Sequence, residues 1–129
     1  MSEFTHNDRG SAVAEFVMVS ALTLMLAFAV FQLAFALHIR VTLIDCAGEG
    51  ARAAAALGAD TQTGVERTRS LISSAVNADY AQDVTASVVE RDGLQLVAVT
   101  VKAPLPLLGY LRPSENIEVT GHAIIEEIL

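Results

Sequence analysis

Few residues in this 129-residue chain have types and spacings that could do chemistry, and the most telling is a carboxylate. Glu15 stands immediately before Phe16–Leu37, a run of 22 residues without Asp, Glu, Lys, Arg or His. An ion at the mouth of an apolar helix is costly unless solvated or paired, so the chemistry on offer is ion pairing. From the residues alone two readings stay open. Glu15 is either a solvated boundary charge at the positive end of the helix or the partner of a neighbour's cation. The chain holds no G-x-S-x-G, H-E-x-x-H, P-loop or clustered His/Asp/Glu set, so no catalytic residue, cofactor or metal is expected and the chain is not expected to be an enzyme. His38 and His122 lie far apart in sequence. Cys46, the single cysteine, cannot form an internal disulfide or a cysteine-rich zinc site. It reads as a small buried apolar residue, with an intermolecular disulfide as the alternative.

The element before which Glu15 sits dominates the composition. The chain is 53% hydrophobic and 18% charged, with mean hydropathy +0.48. Its apolar excess is concentrated in Phe16–Leu37, and a helix of that length spans about 33 Å against a bilayer core of about 30 Å. The twelve Leu, Val and Phe residues of the run favour insertion by roughly 4–6 kcal/mol. Ala34-Phe35-Ala36 resembles a signal-peptidase site, making a cleaved signal sequence the competitor. The run is longer than the roughly 7–15 residues of such a segment. Glu3, Asp8 and Glu15 also outweigh Arg9 ahead of it. A fully soluble protein, a multi-span transporter and a large enzyme are excluded. Net charge is −7 and no run of Lys or Arg exists, so nucleic acid is not an expected partner.

The residues Asp8-Arg9-Gly10-Ser11-Ala12-Val13-Ala14-Glu15-Phe16 resemble the prepilin leader of type IV pilins and pseudopilins. The resemblance implies that a prepilin peptidase cuts between Gly10 and Ser11, so that Ser11 starts the mature chain and Glu15 is its fifth residue. Phe16 after that glutamate resembles the tight-adherence (Flp) branch. Farther on, Arg40–Ala55, with Glu49-Gly50-Ala51-Arg52 inside it, looks like the segment that follows the span in TadE-like proteins. The likeness covers about residues 9–57. Ser20 stands where that family often has proline, which implies a straighter helix.

What the resemblance implies is a minor pilin or pseudopilin of a tight-adherence pilus or secretion machine. Its partners would be a prepilin peptidase, other pilins or pseudopilins, and pilus assembly membrane proteins. The N-terminus would be cytoplasmic and the C-terminal domain outside the cell membrane, with incorporation in a surface pilus left open. Cleavage creates an α-amino group four positions before Glu15, and Glu15 of one helix would neutralise that amine on its neighbour, setting axial register. Arg40 and Arg52 beyond the span against Arg9 before it oppose this orientation by one charge. The rivals are a membrane-tethered binding or sensing module and a small secreted domain released after Ala36.

No proline interrupts residues 11–57, and a continuous helix over them runs roughly 70 Å. Over 38–57 the period puts Val41, Ile44, Ala47, Ala51 and Ala55 on one stripe. Asp45, Glu49 and Arg52 fall on another. Gly48 and Gly50 each cost about 1 kcal/mol relative to Ala. Close packing of Ala47, Gly48, Gly50, Ala51 and Ala54 against a partner or the chain's own domain compensates, unless the helix breaks at the glycines. Gly58 to Gln62 then ends the helix. Thr63-Gly64-Val65-Glu66 fits a capping box, and Val65, Ile72, Ala75 and Val76 predict a helix over about 64–78.

Strands are expected at Val84–Arg91, Leu94–Ala103 and Ile117–Ile125, with Asp92-Gly93 as a hairpin turn. Val97, Val99 and Val101 share one face, and Leu94, Leu96 and Ala98 the other, so cover on both faces is open. Pro104–Tyr110 reads as an apolar connection packing on the sheet, with a partner-docking ridge as the alternative. Glu126-Glu127 reads as a solvated end. The expected fold is α+β and pilin-like. It comprises a leader (1–10), a transmembrane helix (11–37), a helix extension (38–57) and a small domain (58–129) of one helix and a three-stranded antiparallel sheet.

Overall fold

The computed structural model describes residues 2–58, 60–104 and 116–125, with side chains described from residue 8 onward. Pro104 is the last residue of its strand, so the connection from Leu105 and the pair Glu126-Glu127 lie outside the described residues. The chain forms two compact units, Met1–Ala34 and Phe35–Leu129.

Helix α1 (Ser2–Ala56) is 55 residues long and runs unbroken through Gly48 and Gly50. In the first unit it has no packed face: from Asp8 to Phe31 every residue except half-buried Ser20 is exposed. Those exposed groups include Phe16, Leu24 and Met25, a surface suited to lipid and not to water. The backbone satisfies itself along the helix, and Thr23 Oγ1 donates to the Val19 carbonyl at 2.8 Å, so little polarity is left for a bilayer to oppose.

The second unit is built around the C-terminal part of α1. Its buried face is Ile39, Leu43, Cys46, Ala47, Ala51, Ala54 and Ala55, joined by Gly50. The expected stripe is therefore corrected at two positions, since Val41 is 56% and Ile44 39% exposed. Packing has turned the helix so that Ile39, Leu43 and a run of its smallest residues, not Val41 or Ile44, meet the domain. Glu49 and Arg52 form an exposed ion pair one turn apart.

Helix α2 (Thr61–Ala75) begins three residues earlier than the capping box predicts and also ends earlier. Asp60, not Thr63, is its N-cap: Oδ1 accepts from the backbone N–H of Gln62 at 3.2 Å and of Thr63 at 3.4 Å. The Thr63 hydroxyl donates to Asp60 Oδ2 at 2.8 Å, and Glu66 accepts from the Gln62 side chain instead of the cap backbone. A carboxylate wins over a hydroxyl here because it takes more N–H groups and its charge suits the positive helix end. The Thr63 hydroxyl, then its N–H and that of Gln62, hold the Asp60 carboxyl below its ordinary value of 3.8. Its contribution is thus full above the unfolded value and lost as pH falls through the lower folded one. Asp60→Ala is expected to be modestly less stable at neutral pH and to lose that acid-side dependence, as measured by thermal unfolding between pH 2 and 6 at roughly one-unit steps.

A 3-10 turn (Ala78–Ala81) capped by Asn77 leads into β1 (Asp83–Arg91), β2 (Leu94–Pro104) and β3 (Asn116–Ile124). The strands form an antiparallel meander in the order β1-β2-β3. Asp92 and Gly93 turn the first hairpin with φ of 53° and 79°, the left-handed pair such a tight turn requires. Val97, Val99 and Val101 are fully buried and join Val84, Ile117 and Val119 in one core with Ile72 and the α1 face. On the opposite face Ala98 is buried, Leu96 half-buried and Leu94 51% exposed, so the cover is one-sided apart from Ala98.

Candidate functional site

The residues singled out by the sequence fall into two places, one in each unit. In the first, Gly10, Ser11, Glu15 and Phe16 are all helical and exposed. Ser11 and Glu15 are four positions apart on α1 and share a helix face, one turn from each other. Gly10 has no steric reason to be glycine, for a Cβ added there would meet nothing within 4 Å. In a helix interior it costs about 1 kcal/mol relative to Ala, and nothing in the fold offsets that.

The second place is the small-residue face of α1, where Ala47, Ala51 and Ala54 are fully buried, Gly50 is buried and Gly48 half-buried. The chain itself covers this face. A Cβ on Gly50 would lie 1.7 Å from Thr68 Oγ1 and 2.8 Å from the Gly64 carbonyl oxygen, so α1 and α2 meet nearly backbone to backbone. From the sheet, Gly121 approaches α1: its Cβ would lie 2.4 Å from the Gly48 nitrogen and 2.5 Å from the Ala47 carbonyl carbon. Gly64, Thr68 and Gly121 are the partners that sequence reasoning missed. The available signal was the spacing Gly64, Thr68, Ile72, one residue per turn of α2, all three buried.

Thr68 has no exposed surface, and its hydroxyl makes no hydrogen bond. Cys46 is also in the core, and its burial, then the nearby Asp45 and Glu49 charges, push the thiol up and keep it protonated. Among the described residues, no three His, Cys, Asp or Glu side chains are grouped to hold a metal ion. The chemistry these arrangements offer is packing and charge pairing.

Together the features are one long apolar helix whose length and composition fit single-pass membrane anchoring, and a small α+β unit held by close helix approach. Residues 10–52, about a third of the chain, match the family model described as TadE-like protein. No curated protein and no solved structure matches the chain.

Proposed function

We propose that the chain is a minor pilin or pseudopilin-like, non-enzymatic component of a tight-adherence pilus or related secretion machine. A prepilin peptidase removes residues 1–10, the small domain lies outside the cell membrane, and the mature N-terminal helix assembles with other pilins or pseudopilins through side-by-side packing. The observation that carries this reading is Gly10. The TadE-like segment starts at that residue. Its lack of a side chain serves nothing within the fold, which fits a demand made by another protein at the scissile bond. Downstream, the exposed carboxylate of Glu15 lies one turn from the Ser11 amine that cleavage would create.

The N-terminus of the membrane-extracted protein, read by mass spectrometry, tests it. Wild type is expected to begin at Ser11, and Gly10→Leu to persist as an uncut, membrane-inserted precursor. Because Gly10 is exposed and a Cβ added there would meet nothing within 4 Å, loss of cleavage in that variant reports recognition and not misfolding. A wild-type N-terminus at Met1 or Ser2 points to a tethered module instead, and one at Leu37 to a secreted domain. Gly10→Leu still yielding Ser11 overturns the processing assignment.

A further inference from the structure

We infer that Gln32 pairs with Gln32 of a second copy of this chain inside the membrane, through reciprocal hydrogen bonds between the two carboxamides. Gln32 lies in the apolar run Phe16–Leu37, and its Oε1 is shielded yet makes no hydrogen bond. Thr23 meets its own need by donating to the Val19 carbonyl, a local bond available to a short hydroxyl side chain. Hydrocarbon offers Gln32 Oε1 nothing comparable, so an unpaired acceptor there favours association with another helix.

The chemistry of the group selects the occupant. A carboxamide holds one acceptor oxygen and two N–H donors, so it complements itself across a two-fold axis, each copy donating once and accepting once. Turning the side chain outward breaks no bond at Oε1, since none is made. The surrounding surface permits the approach. At 100° per residue, Ala21, Met25, Ala29 and Gln32 share an arc of about 80°, and no Leu, Val or Phe between them falls inside it. Ala21, Met25 and Ala29 are exposed. Alanines let two backbones come close and methionine adapts to the space left. The inference needs only that the run spans a membrane, and stands whether or not residues 1–10 are removed.

The test uses the full chain in phosphatidylcholine vesicles, with self-association followed by energy transfer between labelled copies. Wild type is expected to dimerise, Gln32→Leu to bind about tenfold more weakly, and Gln32→Asn, which keeps the carboxamide, to retain most of the affinity. Gln32→Leu makes the span more apolar, so loss of insertion does not confound the result. In parallel, Ala29→Cys on the same arc should cross-link under oxidation and Ala27→Cys, on the opposite side, should not. A monomeric wild type, unchanged dimerisation of Gln32→Leu, or equal cross-linking at both positions overturns the inference.

Discussion

Glu15→Leu is expected to insert normally, to be cut normally, and to fail in assembly. Insertion is spared because the substitution removes a charge next to a 22-residue run that has none. Folding is spared because Glu15 is exposed, belongs to the unit Met1–Ala34 and is not among the residues of the small domain's core. What changes is the environment of the Ser11 amine. Once helices pack side by side that amine loses its counter-ion in apolar surroundings, and deleting one partner of a buried pair costs about 3–5 kcal/mol. Such a loss is at least a hundredfold in association, whereas an exposed boundary charge is worth about 0–1 kcal/mol. Crosslinking and co-purification with pilus partners, compared at equal membrane abundance, separate the two cases. Wild-type association in the Glu15→Leu strain leaves Glu15 as a solvated boundary charge and the chain as a simple anchor.

Two glycines separated by one residue are expected to respond in opposite directions. At Gly48 a Cβ would meet only the Arg52 guanidinium, at 3.9 Å, so Gly48→Ala gains helix propensity of about 0.5–1 kcal/mol with no clash. At Gly50 the added atom would lie 1.7 Å from Thr68 Oγ1, 3.0 Å from its Cβ, and 2.8 Å from the Gly64 carbonyl oxygen. A rotating hydroxyl relieves the first contact but not the others, so α2 must move off α1 and the core beneath it loosens. Gly50→Ala is therefore expected to cost about 2–3 kcal/mol, and Gly50→Leu more. Hydrogen exchange at the amides of Val97, Val99 and Val101, in the full chain in detergent, reads the opening free energy of this unit directly. Equal shifts of the same sign at both positions would show that α1 and α2 do not meet at Gly50.

Much of the fold was legible because it is locally specified. An apolar run longer than a bilayer is thick reads as a span, and the absence of proline permits one continuous helix, although the choice between a break at Gly48–Gly50 and the unbroken α1 was left to the structure. Asp92-Gly93 announces its turn because few residues tolerate positive φ, and the strand limits follow within a residue or so from the β-branched runs on either side. The motif from Gly10 to Phe16 and the Glu49–Arg52 sequence were equally legible, being contiguous patterns that the TadE-like match spans.

What resisted was the choice between local alternatives and the direction a helix faces. Thr63 with Glu66 and Asp60 with Thr63 are both sound caps on paper. The carboxylate prevails because it gathers two backbone N–H groups and a hydroxyl at once. Apolar periodicity placed Val41, Ile44 and Ala75 inward, yet all three are exposed, while Gly50, Gly64 and Thr68 are buried. Hydropathy measures how much a side chain gains by leaving water, and by that measure glycine and threonine are poor candidates for a core. The crossing of α1 with α2 and β3 is limited instead by how near two backbones can come, and there the smallest side chain wins. By itself, then, the sequence determined an apolar run long enough to cross a bilayer, the hairpin and the membrane-proximal motif, each set by contiguous residues. Only the tertiary structure decided which face of α1 is covered and that Gly64, Thr68 and Gly121 cover it, because steric fit depends on atoms far apart in the chain that no local pattern brings together.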